Sequence, residues 1–190
     1  MEYSGAVACQ TPDGRCGPAR GLRRIPLPAR MIVYGAFFLT LALVALPWLA
    51  YRIDLLWPAA HVEIGGLRLV GLALFAVGLG GYVGCAVLLS RRGRGAYVEF
   101  DPPQVFVADG PYRWCRNPIA ACVFGMVLGE ALACSSTGIL LLAALGLPLA
   151  HAQVVLLEEP RLRGRFGGAY EEYLRRVPRW LPRRPTEGAP

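Results

Sequence analysis

Hydrophobic positions in this chain fall in long unbroken runs. Met31 to Tyr51, Leu67 to Leu89, Ile119 to Cys134 and Gly138 to Leu157 are almost wholly apolar. A run of about 20 apolar residues matches a bilayer-crossing helix, since a helix satisfies its own backbone in lipid. The pattern predicts four spans, the third of them short, with Pro47 and Pro148 as kinks. Five glycines in the second run, Gly71, Gly78, Gly80, Gly81 and Gly84, would let neighbouring helices approach closely. The intervening polar stretches alternate in charge. Arg20, Arg23, Arg24 and Arg30 surround the start of the first run, Arg91, Arg92 and Arg94 follow the second, and an arginine-rich stretch follows the fourth. Between Arg52 and Gly66, Arg52 is set against Asp54 and Glu63, and the turn at Ser135, Ser136 and Thr137 is uncharged. Arginine excess marks the cytosolic side, so both termini and the 91–117 loop are expected inside.

Beyond Pro160 the pattern changes to a helical period. Leu162, Phe166, Tyr170, Tyr173 and Val177 share one face, while Arg161, Arg163, Glu171, Glu172, Arg175 and Arg176 lie largely elsewhere. This is an amphipathic helix suited to a membrane surface or to the rim of a cavity. Gly167 and Gly168 weaken its middle, and the stretch from Pro178 to Pro182 ends it, with Trp180 suited to the interface. The expected fold is all-α: an integral membrane protein of about four transmembrane helices plus a C-terminal amphipathic cytosolic helix. The expected organisation is a disordered tail at 1–24, the first two spans within 25–90, a core at 91–182 and a disordered tail at 183–190. The first apolar run follows a leader rich in Arg, Pro and Gly, and reads as a retained anchor rather than a cleaved signal.

Composition sharpens this picture. The chain has 190 residues, 55% of them hydrophobic, and a net charge of +7. All 20 basic residues are arginine, which a compositional bias of the source explains better than function does. Because the arginines flank apolar runs as topology signals would, a nucleic-acid partner is not expected. Cys9, Cys16, Cys85, Cys115, Cys122 and Cys134 form no CxxC pair and accompany no histidine cluster. They read as thiols, with no metal site expected. Hydrolase, zinc-protease, P-loop and dinucleotide-binding motifs are absent.

Two polar stretches carry the candidate chemistry. In Gly110-Pro-Tyr-Arg-Trp-Cys-Arg-Asn-Pro118, a turn runs into an apolar helix that Asn117 can cap and Pro118 can open. The helix N-terminus beside Arg113 and Arg116 suits an anionic group. The two arginines fit either lipid phosphates or a cofactor carboxylate, and Tyr112 fits either an interface aromatic or a ring-stacking wall. The second stretch, from Glu158 to Tyr173, begins where the fourth run ends. A hydrophobic hairpin between the two would return both to one membrane face, where they would close one site. Glu158 and Glu159 are either solvated or a counter-charge for a bound cation, and Pro160 is expected to turn Glu159 off the helix line. His151, seven residues before Glu158, would share its helix face. It fits either that cavity or a helix–helix hydrogen bond. Glu130 lies inside the third run, near its outer end, where an ionisable residue points to function or escapes to the interface.

Taken together, these motifs resemble the membrane-embedded methyltransferases related to isoprenylcysteine carboxyl methyltransferase and phospholipid N-methyltransferase. The resemblance rests on Gly110 to Arg113, then Arg116-Asn117-Pro118 opening a helix. It continues at Glu158-Glu159 with Leu162, Phe166-Gly167, Tyr170, Tyr173 and Val177-Pro178, with Asp101-Pro102-Pro103 as a lead-in. It covers roughly residues 91–182. Asn117 stands where the eukaryotic carboxyl methyltransferases have His, Ala120 where Tyr is common, and Cys122 where Gly is frequent. The resemblance implies an S-adenosylmethionine-dependent methyltransferase of a bacterial inner membrane, with a cytosolic cofactor site in the 91–182 core. The acceptor it implies is lipidic or hydrophobic, with a carboxylate favoured. The alternatives are N-methylation of a phospholipid or amine, or a non-catalytic protein that keeps the fold. Cofactor contacts would come from Pro111, Tyr112, Arg113, Arg116, Asn117, Pro118, Glu158, Glu159, Tyr170 and Tyr173. Arg116, Glu159 and His151 are the catalytic candidates. Membrane lipids are the other expected partner.

Overall fold

The computed structural model describes Ala8 and residues 24–56, 65–96, 98 and 101–182. The expected disordered tails, apart from Ala8 and Arg24, lie outside the described residues, as do Glu63, Cys9 and Cys16. Ala8 forms an isolated antiparallel bridge with Val105. The described chain is helical: α1 (Leu27–Leu56), α2 (Leu67–Gly93), α3 (Pro118–Cys134), α4 (Thr137–Phe166) and α5 (Gly168–Arg176). By length and apolar character α1, α2 and α4 can each cross a membrane, and α3 is a shorter apolar helix of 17 residues. Large apolar side chains along the three long helices are exposed, among them Phe37, Val44, Leu69, Val77, Leu141 and Leu149. Such an outward surface suits lipid.

Prolines shape α1 and α4 in the same way. Each helix contains one π segment, Leu41–Ala45 and Val154–Glu158, and each segment ends two residues before a proline, Pro47 and Pro160. Proline lacks an N–H and its ring collides with the carbonyl four residues back in an α-helix. A wider turn relieves both problems. Pro148 sits inside α4 without such a segment. Two expectations are therefore corrected. Glu159 is not turned off the helix line, because the wide turn carries the helix through Pro160. The amphipathic C-terminal helix is not a single element either. Its first half is the end of α4, and only α5 is separate. The break falls at Gly167, whose φ of 51° favours glycine.

The chain folds as two compact units. One, the apolar unit, contains Tyr34–Val83 and Ile119–Gln153. Its core joins Ala50, Val127, Ala131, Ile139 and Ala143, with Leu43, Phe124 and Leu142 packed against them. Small residues set how close its helices come. A Cβ at Gly71 would lie 2.6 Å from the Gly129 carbonyl oxygen and the Ala133 amide nitrogen. Gly78 abuts Met126 and Gly81 abuts the Cys122 sulfur, whereas Gly80 and Gly84 face open space. Only part of the glycine stripe is therefore a packing seam. Asp54, expected in a loop, lies in α1 and is buried. Its Oδ1 accepts from the Gly138 amide at 2.7 Å and its Oδ2 from the Ser136 hydroxyl at 2.5 Å, while Ser136 Oγ accepts from the Ile139 amide at 3.0 Å. These bonds satisfy amides at the start of α4 that have no partner within the helix.

The other, arginine-rich unit contains Met1–Val33, Gly84–Pro118 and Val154–Pro190. Its loop is pinned by Gln104 and Val105 amides donating to the Gly93 carbonyl at 2.7 and 3.0 Å, and by the Ala96 amide donating to the Asp101 carbonyl at 2.9 Å. Arg30 pairs with Asp101 at 2.5 Å, and both are buried. Arg30, expected as a topology signal alone, therefore also anchors the loop.

Substituting Gly71→Ala should lower stability by roughly 1–3 kcal/mol, since backbone atoms rather than a flexible side chain must move. Gly80→Ala should be neutral or slightly stabilising. Thermal unfolding of the two reconstituted variants checks this, and equal melting temperatures would contradict the seam.

Candidate functional site

Glu159 is the centre of the arginine-rich unit's polar network. Its carboxylate is buried at the first residue after the π segment. Arg116 Nη1 donates to Oε1 at 2.8 Å. Arg179 donates through Nε to Oε1 at 2.7 Å and through Nη2 to Oε2 at 3.1 Å. The second arrangement is a two-pronged guanidinium–carboxylate contact, strong and directional. It keeps the Arg179 guanidinium above the usual arginine range, chiefly through the hydrogen bond to Glu159. Counted over these three hydrogen-bonded groups, two guanidiniums against one carboxylate leave a surplus positive charge, with the Glu158 carboxylate and the Arg163 guanidinium near enough to act on Glu159. Arg116 Nε is also buried without an acceptor. A buried unsatisfied donor is costly, and a carboxylate or similar anion would satisfy it.

Backbone contacts clasp the 110–118 turn to the segment after α5. The Arg116 amide donates to the Pro178 carbonyl at 2.9 Å. The Asn117 side-chain amide and the Cys115 thiol both donate to the Arg179 carbonyl, at 3.2 and 3.3 Å. Pro118 is the first residue of α3, as expected. Tyr173 donates its hydroxyl to the Tyr112 carbonyl at 2.7 Å. The apolar face of the C-terminal stretch packs as its spacing predicts: Ala108, Phe166, Tyr170, Tyr173 and Val177 form one buried cluster with Leu162 and Leu174. Phe106 stands at its centre, with ring centroids 5.3 Å from Phe166, 5.9 Å from Tyr170 and 5.1 Å from Tyr173. Burial pushes the Tyr170 phenol up to about 12, with the nearby Glu159 carboxylate adding to the shift and Arg116 opposing it.

The structure thus brings Arg116 together with Glu159, Asn117 with the Arg179 carbonyl, and Tyr112 with Tyr173. Other candidates take no part in the hydrogen bonds to Glu159 described above. Arg113 and Pro111 are exposed, and no ion pair joins Arg113 to the network. Glu158 is exposed while its neighbour is buried. His151 belongs to the apolar unit, where it is exposed. Its seven-residue spacing from Glu158 assumed an unbroken α-helix, and the π segment intervenes. Glu130, also in that unit, keeps a buried Oε2 without a partner. The four described cysteines, Cys85, Cys115, Cys122 and Cys134, are thiols.

Sequence reasoning missed Arg179 and Phe106. Arg179 lies in a segment read only as a helix stop, yet a lone arginine between Pro178 and Trp180 is a charge set in an apolar stretch. Phe106 alternates with Val105 and Val107 in a segment read as extended, and that apolar run was its signal.

Removing one partner of a buried ion pair is costly. Glu159→Ala should lower stability by about 2–4 kcal/mol, given that Arg179 remains partly exposed, and should speed tryptic cleavage after Arg179. Glu159→Gln, which keeps an acceptor, should do less. An unchanged melting temperature and digestion pattern in Glu159→Ala would contradict this role.

A family model described as phospholipid methyltransferase matches residues 67–169. The cobalt-zinc-cadmium resistance protein CzcN of Cupriavidus metallidurans is 29% identical over 117 residues, which cover 62% of this chain and 48% of that protein. The nickel-cobalt-cadmium resistance protein NccN of Alcaligenes xylosoxydans xylosoxydans is 28% identical over 114 residues, 60% of this chain and 52% of that protein. The chain spans about half the length of these curated relatives. No solved structure matches it. The family match takes in more than half of the chain, including the 110–118 turn and Glu159, and the chain belongs to the phospholipid methyltransferase family, a family of membrane methyltransferases.

Proposed function

We propose that this protein transfers a methyl group from S-adenosylmethionine to a lipidic or hydrophobic acceptor, with residues 91–182 as its catalytic core. The observation that carries the cofactor reading is the Arg116–Glu159–Arg179 network. Its surplus positive charge and the unsatisfied Arg116 Nε fit the cofactor's carboxylate. Arg116 would hold that carboxylate, while Glu159 and Asn117 are near enough in the fold to meet its polar parts. The cofactor supplies an already activated methyl group, so the protein's task is to position the acceptor and exclude water. Holding reactants in line supplies roughly 7–11 kcal/mol of a barrier.

The same network argues for an acceptor that arrives deprotonated. The Arg179 guanidinium is held above the usual arginine range by its hydrogen bond to Glu159, and burial pushes the Tyr170 phenol up to about 12, so neither is a ready base near neutrality. A carboxylate needs no base, whereas an amine must lose a proton before it attacks. The second reading is N-methylation of a phospholipid amine, and the family description favours it. Under that reading His151 or a glutamate is the candidate base. A lipidic acceptor would reach the site from the bilayer, since it is already dissolved there. The positive-inside pattern supports a cytosolic cofactor site.

The reading is tested by S-adenosylmethionine binding to protein in nanodiscs. Wild type should bind saturably, Arg116→Ala should lose binding, and His151→Ala should bind normally but turn over differently. No binding by folded wild type would overturn the cofactor, and undiminished binding by Arg116→Ala would overturn the site. An acceptor screen of lipid carboxylates against lipid amines then separates the two readings.

A further inference from the structure

We propose that Arg179 is the positioning residue that sets the charge of this site. It engages Glu159 with two prongs so that Arg116 keeps a positive charge for an anionic group of the ligand. The inference rests on the reading above that the ligand is S-adenosylmethionine. Without Arg179, Arg116 is the one guanidinium hydrogen-bonded to Glu159 among the described residues, and its charge is committed to a carboxylate of the protein itself. With Arg179 present, both Glu159 oxygens are engaged from its side, one at 2.7 Å and one at 3.1 Å, while Arg116 contributes a single nitrogen at 2.8 Å. Arg116 Nε then remains buried and unpartnered. The Glu159 carboxylate is almost fully enclosed, with 4% of its side chain exposed, so water screens the balance only weakly.

A merely structural role for this side chain is distinguishable. The clasp between the 110–118 turn and residues 178–179 uses backbone carbonyls of Pro178 and Arg179, not the guanidinium. Truncating the side chain removes the guanidinium tie to Glu159 but none of these backbone bonds, and it changes the charge.

The experiment compares two ligands on reconstituted protein: S-adenosylmethionine and its decarboxylated analogue, which lacks the carboxylate. Arg179→Ala should weaken S-adenosylmethionine binding by about tenfold or more and leave the analogue nearly unchanged. The double variant Glu159→Gln/Arg179→Ala restores the charge balance by removing the carboxylate, and should recover the preference for S-adenosylmethionine over the analogue that Arg179→Ala loses. Arg179→Lys, with the charge but without the fork, should fall between. Equal weakening of both ligands in Arg179→Ala, or no recovery in the double variant, would overturn the inference while leaving the cofactor reading intact. Failure of wild type to bind either ligand would overturn the cofactor reading itself.

Discussion

A carboxylate taken out of water is tolerated only when charges and donors replace its hydration. Glu159 meets that condition with two arginines drawn from distant parts of the sequence, one from the 110–118 turn and one from the segment after α5. Much of the arginine-rich unit follows from this requirement. The turn and the terminal segment must lie together, and backbone bonds from Arg116, Asn117 and Cys115 then hold them so. The aromatic cluster around Phe106 packs α5 against the 106–108 segment of the same unit. Directional hydrogen bonds and apolar packing therefore specify one arrangement from independent sides.

The apolar unit is organised by different means. Lipid tails are as apolar as leucine, so helices in a bilayer gain little from burying leucine against leucine. Close backbone approach at Gly71 and Gly129, and the capping of α4 by Asp54 and Ser136, take that place. The buried Asp54 shows how far a polar group's meaning depends on its partners. The same residue type serves as an exposed partner of Arg92 at Asp109 and as the buried partner of Arg30 at Asp101.

Long apolar runs made the helices legible, because twenty consecutive apolar residues leave little choice of structure. The C-terminal face was legible for a similar reason: Leu162, Phe166, Tyr170, Tyr173 and Val177 recur at helical spacing, and spacing survives the break at Gly167. Pairing was legible only in part. Arg116 and Glu159 stood out within motifs, whereas Arg179 stood among prolines that signalled only an ending. Arg30 and Asp101 are 71 positions apart, a partnership that charge alone does not reveal. The π segments were invisible for a physical reason. A wide turn has no side-chain period of its own in so short a stretch, and a proline admits either a kink or a stop.

Those wide turns bear on how the chain can vary. A π segment holds one residue more than the α-helix it interrupts, so α1 and α4 each carry what amounts to a single-residue insertion upstream of a proline. Deleting one residue from either segment would restore the ordinary repeat and drive the ring of Pro47 or Pro160 against a carbonyl. Replacing the proline alone would leave a wide turn with nothing to require it. Extra residue and proline thus form a coupled pair, and descendants of this chain are expected to keep both or lose both.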